Sequence, residues 1–148
     1  MHVSAFQTDA EARLVDALRR DGKALVSLVA TLENEVVGHV LFSPVHVESI
    51  RGVGLAPLAV RPEHQRKGIG AALIEAGIQA CRSAGHGYAV VLGDPRYYER
   101  FGFRRASAAG LENEYGVDEE FMVLHLEPGA LRAIRGVVRY GPEFALLG

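Results

Sequence analysis

The stretch LAVRPEHQRKGIGA, residues 58–71, decides the fold. A strand-like apolar run ends here, a polar loop follows, and Gly68 and Gly70 open a helical pattern. The first turn of a helix has backbone N–H groups without intrahelical partners and the positive end of the helix dipole. Glycines at this point let a phosphate approach the backbone, and Arg66 and Lys67 add positive charge beside it. The stretch therefore predicts a phosphate-binding turn between a strand and a helix.

The chain before this turn has the pattern of one helix followed by strands. The sequence TDAE at residues 8–11 is a capping box, and apolar spacing predicts a helix over residues 9–20. Residues 24–30 and 35–42 are β-type apolar runs joined by a tight polar turn at Glu33-Asn34, which predicts a hairpin. Residues 52–60 form a third strand in which Pro57 predicts a bulge, since proline cannot donate to a sheet ladder.

The chain after the turn continues as an alternation of helices and strands. Helical spacing covers residues 68–84, and the short apolar run at 88–92 has the pattern of a buried parallel strand. Residues 52–92 thus form a βαβ unit. The remaining predicted elements are a short helix at 96–101 and strands at 121–126 and 136–140. These patterns predict an α/β fold, and with no linker or repeat we expect one domain over residues 1–148.

Composition restricts the class of protein. A chain of 148 residues with 49% hydrophobic and 23% charged residues is typical of a soluble domain with a real core. A net charge of -2 gives no global attraction to nucleic acid or to anionic membranes. Cys81 is the single cysteine, and the six histidines show no paired ligand spacing, so we expect no disulfide and no metal. With neither a signal peptide nor a membrane-spanning run, we expect a cytoplasmic protein.

Two other phosphate-binding motifs can be tested by spacing. A P-loop needs G-x-x-x-x-G-K-[ST], which this chain lacks. A dinucleotide fingerprint needs G-x-G-x-x-G directly after the strand, but Leu73 stands at the third glycine and seven residues separate Val60 from Gly68. Asp94 could imitate the acid that binds a ribose, so a Rossmann-type dinucleotide-binding protein stays open as an alternative.

Two segments together resemble the signatures of the GNAT superfamily of N-acetyltransferases. QRKGIG at residues 65–70 is similar to the acyl-CoA pyrophosphate loop Q/R-x-x-G-x-G/A, and YERFGF at 98–103 is similar to the later signature Y-x-x-x-G-F. The run GDPRYYERFGF at 93–103 also resembles that of one bacterial subgroup. The resemblance covers residues 24–103, with the elements in the family's order.

This resemblance implies a single-domain GNAT fold, in which helices flank a mixed central sheet whose fourth and fifth strands splay apart. It implies an N-acetyltransferase that moves an acetyl group from acetyl-CoA, its cosubstrate, to a primary amine by direct attack in a ternary complex. Tyr98 would protonate the departing thiolate, while the adjacent Tyr97 would be structural. The implied acetyl-CoA-binding residues are Leu58, Ala59, Val60, Gln65, Arg66, Lys67, Gly68, Ile69, Gly70 and Ala71.

Some features depart from the family pattern or leave the function open. Seven residues before Thr8 are too few for the family's full first strand, and Gly93-Asp94-Pro95 stands where many members carry an Asn or Ser for the pantetheine arm. No general base is evident among His39, His46, Glu48 and His125, so water is the default proton acceptor. A non-catalytic acyl-CoA-binding module therefore stays open as a second alternative.

The partners follow from the same reading. The acceptor would be a small-molecule or peptide amine, and the acidic residues within 112–120 either attract it or form a solvated loop. We expect neither nucleic acid nor membrane as a partner. A homodimer is one option, because the apolar residues 144–147 could form an interface.

Overall fold

The computed structural model describes residues 8–129 and 135–147. Its α-helices are α1 (Asp9–Arg20), α2 (Ile69–Ser83) and α3 (Pro95–Glu99), with short 3₁₀ segments at Pro62–His64, Ala106–Ala109 and Pro142–Leu147. The capping box of α1 is formed as predicted: the Thr8 hydroxyl accepts from Glu11 N–H, and the Glu11 carboxylate accepts from Thr8 N–H, both at 3.1 Å.

The strands of the described residues form one mixed sheet in the order β5-β7-β4-β3-β2-β8-β6, with β1 also paired to β2. Only the pairs β3–β4 and β6–β8 in this sheet are parallel. The strand bounds are β1 (Val26–Leu32), β2 (Glu35–Val47), β3 (Ile50–Val60), β4 (Tyr88–Leu92), β5 (Arg104–Arg105), β6 (Leu111–Asn113), β7 (Phe121–His125) and β8 (Gly136–Tyr140). The sheet and its flanking helices confirm the expected α/β class.

Each face of the sheet is covered by a separate apolar cluster. Leu14 and Leu18 of α1 are fully buried on one face, and Ile74 and Cys81 of α2 are fully buried on the other. Gly77 of α2 lies directly on the ring of Phe42, where any Cβ would collide with it, and this lets the helix approach the sheet closely. Burial raises the pKa of the Cys81 thiol to about 12, which fits the predicted core position.

The parallel pair β3–β4 separates halfway along β3. Pairing joins Val53 to Ala89 and ends where Leu55 meets Val91. On the other edge of β3 the register with β2 shifts here, since Ala56 and Pro57 together oppose the single residue Leu41. This is the bulge that Pro57 predicted, and it turns the last residues of β3 away from β4. The fourth and fifth strands of the family pattern, here β3 and β4, are therefore splayed as expected.

The structure extends the predicted elements and adds two short strands. β2 runs to Val47, further than expected, and makes a second tight hairpin with β3 around Glu48, whose φ is 51°. Strands β5 and β6 were not predicted.

Phe144 of the apolar C-terminal segment is buried against Tyr140 of its own chain, with ring centroids 4.9 Å apart. The question of the family's first strand falls on residues 1–7, which lie outside the described ranges. Within those ranges, no helix is both long and apolar enough to cross a bilayer.

Candidate active site

The separated end of β3 directs backbone groups of alternate residues at the gap. Arg61 N–H donates to Val37 O at 2.8 Å, so the backbone groups of Arg61 face β2. Alternate residues of a strand face the same edge, so Ala59, opposite His39, also faces β2. Leu58 and Val60 then point their N–H and C=O groups at the gap. The Val60 carbonyl accepts from Gln65 Nε2 at 3.0 Å, which fixes the start of the following loop.

The loop between β3 and α2 brings the N-terminus of α2 to the same gap. Arg66 and Gly68 have φ of 64° and 83°, left-handed values that turn the chain sharply before α2. No side chain caps α2, and its hydrogen bonding begins with Ala72 N–H donating to Gly68 O at 3.0 Å. The preceding amides of Ile69, Gly70 and Ala71 thus lack intrahelical partners. This is a cradle for an anion, at the positive end of the helix dipole.

The gap and the open turn form one cleft of about 590 Å³. Seven of the ten predicted acetyl-CoA-binding residues line it, together with two residues at α3 that were not predicted to do so. The lining residues are Leu58, Val60, Gln65, Arg66, Gly68, Gly70, Ala71, Tyr97 and Arg100. The structure thus brings together, across one cavity, residues that are up to 42 positions apart.

Three predicted binding residues do not line the cleft, each for its own reason. The backbone of Ala59 faces β2, as the register requires. Ile69 turns its side chain into the α2 core cluster, where it approaches Gly38. Lys67 is exposed on the loop and is not among the residues that line the cleft. The backbone amides of Lys67 and Ile69 still belong to the turn, so any contact that these two residues make to a phosphate would be through the main chain.

The adjacent tyrosines of α3 occupy different environments. Tyr98 is buried beside Gly93, where any Cβ would collide with its ring, and packs edge-on against Phe103 with centroids 5.8 Å apart. Burial, with a smaller effect of Tyr97, raises the pKa of Tyr98 to about 12, so its hydroxyl stays protonated at neutral pH. Tyr97, which was expected to be structural, lines the cleft.

The predicted candidates for a general base lie away from the cleft. His46 and Glu48 are at the hairpin end of β2, and His125 pairs with Tyr88 at the start of β4, opposite to its splayed end. His39 is only 1% exposed and lies 3.2 Å from the Ser27 hydroxyl. Burial and then the charge of Arg19 lower the pKa of His39 to about 4, which makes it a poor acceptor for an ammonium proton.

Some carboxylates of the acidic stretch, residues 112–120, make contacts within the fold. The Glu114 carboxylate accepts from Tyr140 N–H at 3.0 Å and lies 3.6 Å from Arg139, and Asp118 lies 3.9 Å from Arg105. Glu119 and Glu120 are exposed and form no ion pair within the described ranges. Glu120 O accepts from Gly93 N–H at 2.9 Å, which places this end of the stretch beside the β4 wall of the gap.

Nearby polar side chains give no metal site. No group of three or more His, Cys, Asp or Glu side chains within residues 8–129 and 135–147 could hold a metal ion. At Asp94, which could have imitated a ribose-binding acid, the carboxylate accepts from Arg96 N–H at 3.0 Å and caps α3. This capping role accounts for the acid at that position without a nucleotide.

Comparison with known proteins agrees with this geometry. The model of the acetyltransferase (GNAT) family matches residues 2–103. The chain is 40% identical to the Escherichia coli K12 N-acetyltransferase YhbS over 144 residues, which cover 95% of this chain and 86% of YhbS. The crystal structure of E. coli YhbS in complex with CoA superposes with a TM-score of 0.90 at 39% identity, over 97% of this chain and 82% of that one.

A second solved structure gives the same assignment. It is a GNAT-family acetyltransferase from Brucella melitensis in complex with acetyl-CoA, with a TM-score of 0.77 at 35% identity, over 95% of this chain and 81% of that one. The family match covers well over half of this chain and includes the strand, the glycine turn and both tyrosines. The chain therefore belongs to the GNAT family of acetyltransferases.

Proposed function

We propose that this protein transfers an acetyl group from acetyl-CoA to a primary amine by direct attack in a ternary complex. The observation that carries the proposal is the single cleft in which a free strand edge meets an uncapped helix turn. These are the two partners that a chain of amides ending in a pyrophosphate requires. The CoA and acetyl-CoA complexes of the relatives support this choice of donor.

The donor would bind as an added strand. The pyrophosphate would accept from the free amides at the start of α2, with Arg66 supplying charge beside it. The pantetheine arm would lie along β3 and pair its amides with the backbone N–H and C=O of Leu58 and the N–H of Val60, which β4 no longer reaches. In this arrangement the thioester would lie toward Leu55, the last residue of β3 that pairs with β4.

The chemistry needs no nucleophile from the protein. The neutral amine nitrogen attacks the thioester carbonyl, forming the C–N bond, and a backbone N–H of the gap stabilises the oxyanion that develops. Collapse of the tetrahedral intermediate breaks the C–S bond. Tyr98 donates its proton to the departing thiolate and then regains one from water, and the proton lost from the amine passes to water. The elevated pKa of Tyr98 keeps that donor protonated.

The proposal is tested by measuring free-thiol release from acetyl-CoA in the presence of a panel of small amines and peptides. We expect thiol release that depends on an amine and yields the N-acetylated acceptor. Binding of acetyl-CoA with no amine-dependent release across the panel would favour the non-catalytic acyl-CoA-binding module. Binding of a nicotinamide dinucleotide in place of CoA would favour the Rossmann-type alternative.

A further inference from the structure

One cation of the cleft lies on the wall opposite the amide turn. Arg100 follows α3 and lines the cavity with Tyr97, while Gln65, Arg66 and Gly68 line it from the loop. The Tyr97 side chain crosses the cleft: a Cβ added at Gly70 would lie 3.1 Å from the Tyr97 hydroxyl. The α3 wall therefore reaches the first turn of α2, and Arg100 is the residue that follows the end of α3 on this wall.

The Arg100 guanidinium is held by aromatic rings. Its central carbon lies 5.3 Å from the ring centroid of Tyr97 and 5.7 Å from that of Phe101. Tyr97 and Arg100 are three residues apart, the spacing at which helical side chains meet. A cation over an aromatic face is attracted to the ring quadrupole, and the ring limits the orientations of the guanidinium.

The charge of Arg100 is not neutralised by a carboxylate in the described ranges. None of the ion pairs within the described ranges includes Arg100. Its five N–H donors therefore keep their capacity for an anion, and a guanidinium fork matches the oxygens of a phosphate in a bidentate way. Arg66 across the cleft lies in the same situation, so both walls offer positive charge to one cavity.

We propose that Arg100 binds a phosphate group of acyl-CoA, its guanidinium seated on Tyr97, from the side opposite the amide turn. This inference rests on the proposed function and assigns to α3 a share of the cosubstrate site. A pyrophosphate and a 3′-phosphate offer the same oxyanion chemistry, and the experiment separates them. A purely structural role, in which Arg100 only stabilises the C-terminal end of α3, predicts no dependence on phosphate.

The experiment measures the affinity of the wild-type protein and of Arg100→Gln for CoA and for 3′-dephospho-CoA by calorimetry at several salt concentrations. Loss of one charge-assisted phosphate contact should weaken CoA binding about tenfold and reduce its salt dependence. A loss confined to CoA assigns the contact to the 3′-phosphate, and an equal loss for both ligands assigns it to the pyrophosphate. Arg100→Lys should restore part of the affinity, since it keeps the charge without the planar fork.

Arg96→Gln is the matched control, because Arg96 is exposed on the same helix but does not line the cleft. It should bind CoA as the wild type does. Acetyl-pantetheine, which carries no phosphate, should be used with equal kcat/KM by the wild type and by Arg100→Gln. Unchanged CoA affinity in Arg100→Gln, or an equal loss with acetyl-pantetheine, would overturn the inference. If the wild-type protein itself does not bind CoA, the proposed function fails instead.

Discussion

The neighbouring residues Tyr97 and Tyr98 lie in different environments, and we therefore assign them different proposed roles. Consecutive residues of a helix point about 100° apart, so Tyr97 and Tyr98 cannot share an environment on a helix as short as α3. Tyr98 packs inward on Phe103 and Gly93, whereas Tyr97 extends across the cleft toward Gly70. The Tyr98 side chain is thus the more shielded from bulk water, and the more exposed Tyr97 ring lies under the Arg100 guanidinium.

Replacing Tyr98 by Phe separates proton donation from packing. The ring keeps its contacts, and only the hydroxyl is removed. We expect kcat to fall by about 10²-fold, the low end of typical general-acid effects, because a thiolate is already a tolerable leaving group near neutral pH. The affinity for acetyl-CoA should change little, since the strand edge and amide turn are untouched. Steady-state kinetics and calorimetry on the same preparation measure both quantities.

The pH profile provides the control for this substitution. The folded-state pKa of Tyr98 is raised to about 12, so the wild-type hydroxyl remains protonated below that pH and should impose no alkaline decline there. The loss in Tyr98→Phe should shrink with a donor whose thiol is more acidic, since such a thiolate needs less protonation. A Tyr98→Phe enzyme with wild-type kcat, where chemistry limits turnover, would remove Tyr98 from the mechanism.

At the scale of elements, the acidic residues between β6 and β7 differ in whether they make contacts within the fold. The buried Asn113 side chain accepts from Tyr115 N–H at 2.8 Å and donates to Val117 O at 2.6 Å, which holds the turn in shape. Glu114 then bonds Tyr140 N–H in β8. Neutralising Glu114 would therefore disturb the attachment of β8 as well as any attraction for a substrate. Glu119 and Glu120, exposed beside Gly93, are free of this structural task.

We therefore expect the double substitution Glu119→Gln and Glu120→Gln to raise KM for a cationic amine without changing the affinity for acetyl-CoA. The reason is that these carboxylates concentrate cations near the β4 wall, an effect that salt screens. The rise should be greatest at low ionic strength, and KM measured across a salt series tests it. Glu127→Gln is the matched control, because Glu127 is exposed and lies two residues after the end of β7. An unchanged KM at every salt concentration would leave this stretch as a solvated loop.

The elements that were predictable are those in which a local signal agrees with the tertiary structure. The capping box at Thr8 and Glu11 satisfies backbone groups within a few residues, and Gly68 adopts the left-handed φ from which α2 starts, so sequence alone reveals both. Pro57 marked the bulge because its missing N–H is a covalent property. The separation of β3 from β4 was predicted only through the resemblance to the GNAT family, because no local pattern in the sequence encodes it.

Long-range contacts account for what was not predicted. Strand β6 has three residues and pairs with β8, twenty-five positions later, so its own residues give no periodic signal. The cleft roles of Tyr97 and Arg100 depend on which face of a one-turn helix is turned to α2. Their spacing of three residues was the available sign, since it places an aromatic ring and a cation on one face. The orientation of Ala59 similarly required the register of β2 against β3.

At the scale of the whole molecule, the cleft is a discontinuity in the central sheet. β3 pairs with β2 along its length but pairs with β4 only through Val53–Leu55. Few backbone hydrogen bonds therefore join the β2 side of the sheet to the β4 side. A pantetheine arm seated in the gap would add hydrogen bonds to β3 and contacts to the α3 wall. Binding of the cosubstrate and stability of the fold are therefore expected to be linked.

This linkage predicts that CoA raises the melting temperature of the protein. A ligand present at a hundredfold excess over its Kd stabilises the native state by about 2.7 kcal/mol, and a domain of this size gains about 2–4 °C per kcal/mol, so we expect a shift of roughly 5–10 °C. Thermal unfolding followed with increasing CoA measures the shift.

A variant and a second ligand serve as controls. Gly70→Asp, which adds bulk and negative charge opposite the Tyr97 hydroxyl, should fold but lose most of the shift. NAD at the same concentration should leave the melting temperature unchanged, because the turn lacks the third glycine that close approach of a dinucleotide requires. A shift with NAD and none with CoA would contradict the assigned cosubstrate and restore the dinucleotide-binding alternative.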